Sequence, residues 1–360
     1  MKRNRLAIYL TIFLVLIAIV LTISNTGNST LDGKDADFAV LDTASVTKIF
    51  IADLDTQAVL LERKPDGWIL NKEYRASQWK VDELLNTMLK LRVRGPVSQA
   101  SHNNVVSRMA GIALKVEVYQ IKPRINLFGR IKLFPREVKT KTYYVGDNPR
   151  DNIGTFMLKE GAKTAYIMYL TGFKGFVMSR YSAFEDDWRD HTVFSTKLGN
   201  IKSVELIFNE EPWQSFRAER TNGLNFKLTR LADQKEFAEY DTLRLLNFLT
   251  SFADLRFEAV LNNTMPRQKI DSVVNSPFLH RITLVDMTGD TVQMTTFNKK
   301  KYADHLDLDE KLVPMDLDRA YALVNRNRDF VLIQYFVFDK IFRPALYFEP
   351  GAPEMGNEYY

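Results

Sequence analysis

The chain is expected to be an α+β protein, with an N-terminal transmembrane helix followed by two repeated modules of antiparallel sheet, each with a packed helix. Three observations predict this. A charge-free apolar run opens the chain. Turn signals separate short apolar runs further on. One order of elements then occurs twice. The 46% hydrophobic and 26% charged content is that of a globular chain, and 24 Phe with 15 Tyr favour sheet-rich cores.

The opening run, Leu6 to Ile23, reads LAIYLTIFLVLIAIVLTI and carries no charge. As a helix it spans about 27 Å, close to the thickness of a bilayer core. Lys2, Arg3 and Arg5 precede it, and no basic residue follows until Lys34. That asymmetry makes residues 1–5 a cytoplasmic tip, 6–23 the anchor, and everything beyond an ectodomain on the far side. A cleaved signal peptide would have a shorter core and a small-residue cleavage site. Here the run continues through Val20, Leu21 and Ile23, and Ser24-Asn25-Thr26 is a poor site. Residues 24–36 form a polar tether.

The two modules are read as 37–197 and 198–349, with a tail at 350–360. In the first, a strand holds Val46, Ile49 and Ile51, and a second run covers Ala58 to Arg63. Asp66-Gly67 then turns into Trp68-Ile69-Leu70, a hairpin signal. Val81, Leu84, Leu85, Met88 and Leu89 follow at helical spacing and lead into Leu91-Arg92-Val93. The second copy answers with a strand of Val204, Leu206 and Phe208, a run from Trp213 to Arg220, and an Asn222-Gly223 turn into Leu224 to Leu228. Its helix carries Leu245, Leu246, Leu249 and Phe252 ahead of Leu255-Arg256-Phe257. Glu62-Arg63 matches Glu219-Arg220, and Leu84-Leu85-Asn86 matches Leu245-Leu246-Asn247. Further on, Leu114 to Val118 with Tyr143 to Val145 answers Ile282 to Val285 with Thr291 to Thr296, and Tyr166 to Leu170 answers Phe330 to Gln334. The aromatic stretch from Phe330 to Phe348 is broken by Asp339, Lys340, Arg343 and Pro344, so it reads as the last strand and closing helix rather than a second span.

The strand Thr47 to Ala52, the Asp66-Gly67-Trp68 turn, and the helix Val81 to Leu91 leading to Arg92-Val93 resemble the domain-of-unknown-function family numbered 4340. The anchor and the tandem arrangement fit as well. The resemblance implies a protein of the Gram-negative inner membrane with its C-terminal domain in the periplasm. Some members are linked with auxiliary components of gliding-motility-type ABC transporters. A periplasmic accessory subunit is therefore implied, and the family offers no catalytic residues to carry over.

The residues themselves limit the chemistry. With no cysteine there is no disulfide, thiol catalysis or lipid anchor on sulfur. His102, His191, His280 and His305 are scattered without ligand spacing and read as surface or capping histidines. Glu185-Asp186-Asp187 with Asp190, and Asp307, Asp309 and Glu310, read as solvated turns, since the second group lacks the glycine and distal Glu of a calcium loop. No phosphate-binding glycine loop or nucleophile elbow occurs, and Glu62-Arg63 and Glu219-Arg220 read as strand-face charge. No cofactor is expected.

One segment stands out. Residues 119–141, YQIKPRINLFGRIKLFPREVKTK, carry seven Lys or Arg and one Glu. With the N-terminal three subtracted as well, the net charge of +5 leaves about −4 for the rest, so no general nucleic-acid footprint exists. In the second module the equivalent strands close at Thr288-Gly289. The first has gained an excursion with period-two alternation on both sides of Phe128-Gly129, a protruding hairpin with an apolar and a basic face. It either folds onto its own module or presents Arg124, Arg130, Lys132 and Arg136 to an acidic partner or anionic lipid. The expected function is a membrane-anchored accessory or binding protein of a cell-envelope assembly, with an ABC-type transporter as first partner. The alternatives are a periplasmic enzyme acting on envelope glycans or lipids, and a lipid or ligand carrier with a groove between modules.

Overall fold

The computed structural model describes residues 35–54, 56–127, 131–173, 175–300 and 315–353, with Thr11, Phe13, Leu14, Val15 and Ile17 ahead of them. Those five are helical; the rest of the expected anchor, Leu6 and Ile23 included, lies outside the described residues. Among the described residues no helix is long and apolar enough to cross a membrane. The chain divides into two compact units, Met1–Asp190 and His191–Tyr360. The division falls ahead of the expected 197/198 boundary because a short strand, Thr192–Phe194, pairs with Leu255–Arg256 of the second unit.

In the first unit the strands are β1 (Val46–Ala52), β2 (Ala58–Lys64), β3 (Gly67–Leu70) and β4 (Tyr74–Arg75). Helix α1 (Gln78–Lys90), β5 (Leu91–Pro96) and α2 (Gln99–Ile112) follow, then β6 (Leu114–Leu127), β7 (Ile131–Val145), β8 (Thr155–Lys159) and β9 (Tyr166–Leu170). They form one antiparallel sheet in the order β4-β3-β2-β1-β6-β7-β8-β9-β5.

The second unit holds β10 (Thr192–Phe194), β11 (Ile201–Phe208), β12 (Phe216–Arg220), β13 (Phe226–Arg230), α3 (Thr242–Thr250), β14 (Leu255–Arg256) and β15 (Ala259–Val260). After α4 (Arg267–Val274) come β16 (His280–Asp286), β17 (Thr291–Phe297), β18 (Arg319–Val324), β19 (Asp329–Gln334) and α5 (Tyr335–Phe338). Its sheet runs β13-β12-β11-β16-β17-β18-β19-β15, the first sheet's order strand for strand from β3 onward. The duplication extends to register. A bulge lies between Val46 and Lys48 in β1 and between Ile201 and Ser203 in β11, and Ile49 opposite Val118 answers Val204 opposite Leu284.

Each sheet buries one face under the helix read from the sequence. Val81, Leu84 and Met88 of α1 pack with Ile49, Ile51, Leu61 and Val116, all at or near zero exposure. A fully buried aliphatic side chain of this size contributes about 1.5–3 kcal/mol. Helix α3 does the same with Leu245, Phe248 and Leu249, and its N-cap Asp241 accepts from the Arg244 N–H at 3.0 Å. The expectation of a helix on one face only is corrected. Helix α2 covers the opposite face of β7–β9 with Val105 and Met109 against Phe156 and Tyr144. Helix α4 does so in the second unit with Ile270 against Phe297, Tyr321 and Phe330. These helices escape periodicity because each buries only one or two residues.

Two local readings also change. The β2–β3 turn centres on Pro65-Asp66, since Lys64 pairs with Gly67. Pro65 holds φ negative, which excludes a primed turn, and Gly67 takes the positive φ of 125°. The paired arginines are internal clamps rather than strand-face charge. Arg63 donates to the carbonyls of Ala44 at 2.9 Å and Thr43 at 3.0 Å, with its guanidinium 4.9 Å from the Trp68 ring. Arg220 donates to the carbonyls of Ile201, Leu198 and Gly223 and sits 4.8 Å from the Phe226 ring. Each ties the segment entering the central strand to its sheet. Arg63→Ala and Arg220→Ala should each cost about 1–3 kcal/mol, and Lys should not restore it because it lacks the planar fork. Urea unfolding of the four variants checks this; unchanged midpoints would reject it.

Candidate functional site

Two features of the described surface differ from what folding alone requires: the extension of β6–β7 and a cleft in the second unit.

Beyond the sheet, β6 and β7 continue as a two-stranded ribbon. The last β6 residue facing β1 is Gln120, paired with Val46, and β8 pairs only with Tyr143 to Val145 of β7. Past these points the ribbon holds its register, with Lys122 opposite Arg136, Pro123 opposite Pro135, Ile125 opposite Leu133 and Leu127 opposite Ile131. At about 3.3 Å per residue, the stretch from Ile121 to Leu127 reaches about 20 Å. The second unit turns back at the equivalent point, where Val285 faces Thr291 and Asp286 Oδ1 accepts the N–H groups of Thr288 and Asp290.

The base of the ribbon is tied down. Glu117 receives Tyr119 Oη at 2.7 Å, Lys115 Nζ at 2.9 Å and Lys139 Nζ at 3.1 Å. Burial alone would raise the Glu117 carboxyl, but these three donors outweigh it and hold it at about 2. Glu137 accepts from Thr47 Oγ1 at 2.6 Å and Lys48 Nζ at 3.0 Å. Its carboxyl is held below the usual range by those two hydrogen bonds.

Further out the side chains face solvent. Ile125 is 42% exposed, Leu133 41% and Phe134 67%. Arg124 and Arg136 are exposed on β6 and β7. Lys132 lies opposite Asn126 in the ladder, with its side chain outside the described atoms, and Arg130 lies outside the described residues. Alternation of registered pairs puts Pro123, Ile125, Leu133 and Pro135 at one set of positions and Lys122 with Arg136 at the other.

The cleft, of about 450 Å³, was not legible in the sequence. Phe208, His280, Tyr335, Phe342 and Leu346 line it, together with Glu210, Glu211, Asp316, Asp339 and Arg343. His280, read from the sequence as a surface or capping histidine, is half-buried in the wall of this cleft. Its ring stacks on Phe342 at 4.4 Å and meets the Phe208 edge at 5.0 Å, and Nδ1 lies 3.1 Å from Thr296 Oγ1. Burial pushes its pKa down to about 4, so the ring is neutral at pH 7. Burial, aided by Asp339 and Asp316, pushes Tyr335 up to about 12. Asp316 is paired with Lys299 and carries its charge, the pairing outweighing burial.

The signal that marks this site is a difference between the copies. By register His280 occupies the place of Leu114, and Thr296 that of Val145, an apolar pair in the first unit. The other histidines are accounted for locally. His102 Nε2 accepts the Ala165 N–H at 3.3 Å, His191 stacks on Phe257 at 4.4 Å, and His305 lies outside the described residues. Of the acidic groups, Glu185 accepts from Asn71 at 2.7 Å, while Asp307, Asp309 and Glu310 lie outside the described residues. Among the described residues no group of three or more His, Cys, Asp or Glu is placed to hold a metal.

A family model described as a domain of unknown function, DUF4340, matches residues 72–272, more than half of the chain. The match starts just ahead of β4 and ends within α4. It therefore contains the α1 and Arg92-Val93 features of the resemblance and leaves the β1 strand and the β2–β3 turn outside. No curated protein and no solved structure matches the chain.

The His280 shift sets a pH dependence. An unfolded histidine titrates near 6.5, so stabilisation by the neutral folded ring is complete above that pH and is lost as pH falls through about 4. His280→Leu, the residue at the sister position, should fold and should remove up to about 3 kcal/mol of that loss between pH 6.5 and 4. Urea unfolding of both proteins across this range measures it; parallel pH profiles would contradict the assignment.

Proposed function

Since the chain belongs to the DUF4340 family, described only as a domain of unknown function, we propose that it acts by binding, as a membrane-anchored periplasmic accessory protein of a cell-envelope assembly. The observation that carries this reading is the β6–β7 ribbon. A hairpin needed only for folding would turn where β16–β17 does. This one continues past its last neighbouring strand and holds apolar side chains in water. Exposed apolar groups beside a basic row are suited to removal from water against an acidic partner.

The N-terminal run Leu6 to Ile23 supplies location, with Lys2, Arg3 and Arg5 on the cytoplasmic side. The first module then carries the ribbon as a mount, because the ribbon's base is fixed by the Glu117 and Glu137 networks. A membrane protein is the partner this arrangement favours, and an ABC-type transporter is the first to test. Each basic residue contributes about 1 kcal/mol near an anionic surface, so four give a moderate, reversible contact before apolar burial adds to it.

The test is recovery of complexes from native membranes in mild detergent, with the wild-type chain and with Arg124, Arg130, Lys132 and Arg136 changed to Ser. The expected result is stoichiometric recovery of membrane-complex subunits with the wild type and at least a tenfold loss with the variant. Recovery of the chain alone in both cases, or of the same subunits in equal amount, would end this reading.

A further inference from the structure

The ribbon leaves the cleft of the second unit without a role. We propose that this cleft binds a small organic cation, an ammonium group on an apolar body, with the charge against Glu210 and Glu211 and the body against the Phe208, His280 and Phe342 wall. The volume of about 450 Å³ lies in the range of small-molecule sites.

Charge selects the class. Four carboxylates and one guanidinium line the cleft, and Asp316 is already neutralised by Lys299. Glu210 and Glu211 are exposed and have no ion-pair partner among the described residues. An anion would meet uncompensated like charge, whereas a cation would complete the set.

The wall selects the body. The Phe342 and His280 rings are stacked within 13° of parallel, with Phe208 edge-on at 88°. Aromatic rings of this kind attract an ammonium through their quadrupoles and its carbon frame through apolar contact. His280 adds no repulsion, because burial keeps it uncharged at neutral pH. Nδ1 is engaged by Thr296, and Nε2 has no hydrogen-bond partner among the described residues.

The comparison between copies is independent of charge. Where the first unit keeps Leu114 opposite Val145, the second places a polar pair beside a cleft. Structural need does not call for that exchange, since the same strands fold in the first unit with apolar residues there.

The experiment uses the full chain with benzyltrimethylammonium as probe, and benzyl alcohol and benzoate as neutral and anionic counterparts. Binding is followed by calorimetry and saturation-transfer NMR. The expected result is saturable one-to-one binding of the cation, at least tenfold tighter than either counterpart. The double variant E210Q/E211Q should weaken it at least fivefold. Both residues are exposed, so its unfolding midpoint should match the wild type and exclude misfolding as the cause. The variant with Arg124 and Arg136 changed to Ser should bind the probe as the wild type does, separating this site from the ribbon. Binding of the cation no tighter than benzyl alcohol, or unaltered binding by E210Q/E211Q, would overturn the proposal.

Discussion

The pairing of β6 with β7 is the constraint on which the first module and its surface both depend. At one end it is core, with Val116 opposite Tyr143, both at or near zero exposure. At the other it is a ribbon in solvent. Strand side chains alternate, so the buried pairs decide which residues reach each face further out. The bulge between Val118 and Tyr119 resets that alternation once. A slip of one residue would exchange the basic and apolar rows and expose core side chains together. The ribbon therefore inherits a register stabilised by the whole sheet, which an isolated hairpin would lack.

The two modules act as controls for each other. What they share is the machinery of folding: the sheet order, the bulge in the central strand, the buried helix, and the arginine clamp of Arg63 or Arg220 over an aromatic ring. The places where they part cannot be demanded by the fold, since one copy does without them. The ribbon in the first module and the His280–Thr296 pair in the second are such places. Duplication thus separates what the fold requires from what each copy has added within a single chain.

Much of this architecture was legible from residue pattern. Period-two runs, glycine turns and one strongly amphipathic helix per module are local signals, and they located helices α1 and α3 and most of the longer strands, though not β8 or β18. The ribbon was visible because its basic residues alternate with Ile and Leu over both strands. Helices α2 and α4 were not, because a helix that buries only Val105 and Met109, or only Ile270, has almost no apolar stripe to read. The role of Arg63 and Arg220 depends on carbonyls about twenty residues away, and the cleft gathers residues from Phe208 to Leu346. Contacts of that separation are made by topology and leave no local trace.

On the proposed reading the ribbon is an addition for binding, mounted on a module complete without it. The most direct test replaces residues 120–138 with the five-residue turn Asp286 to Asp290 of the second module, whose flanking residues are register equivalents. Thermal unfolding and partner recovery are measured on the same preparation. The expected result is a folded module, with a midpoint within a few degrees of the wild type, and loss of the partner. A module that unfolds, or that keeps its partner, would contradict it.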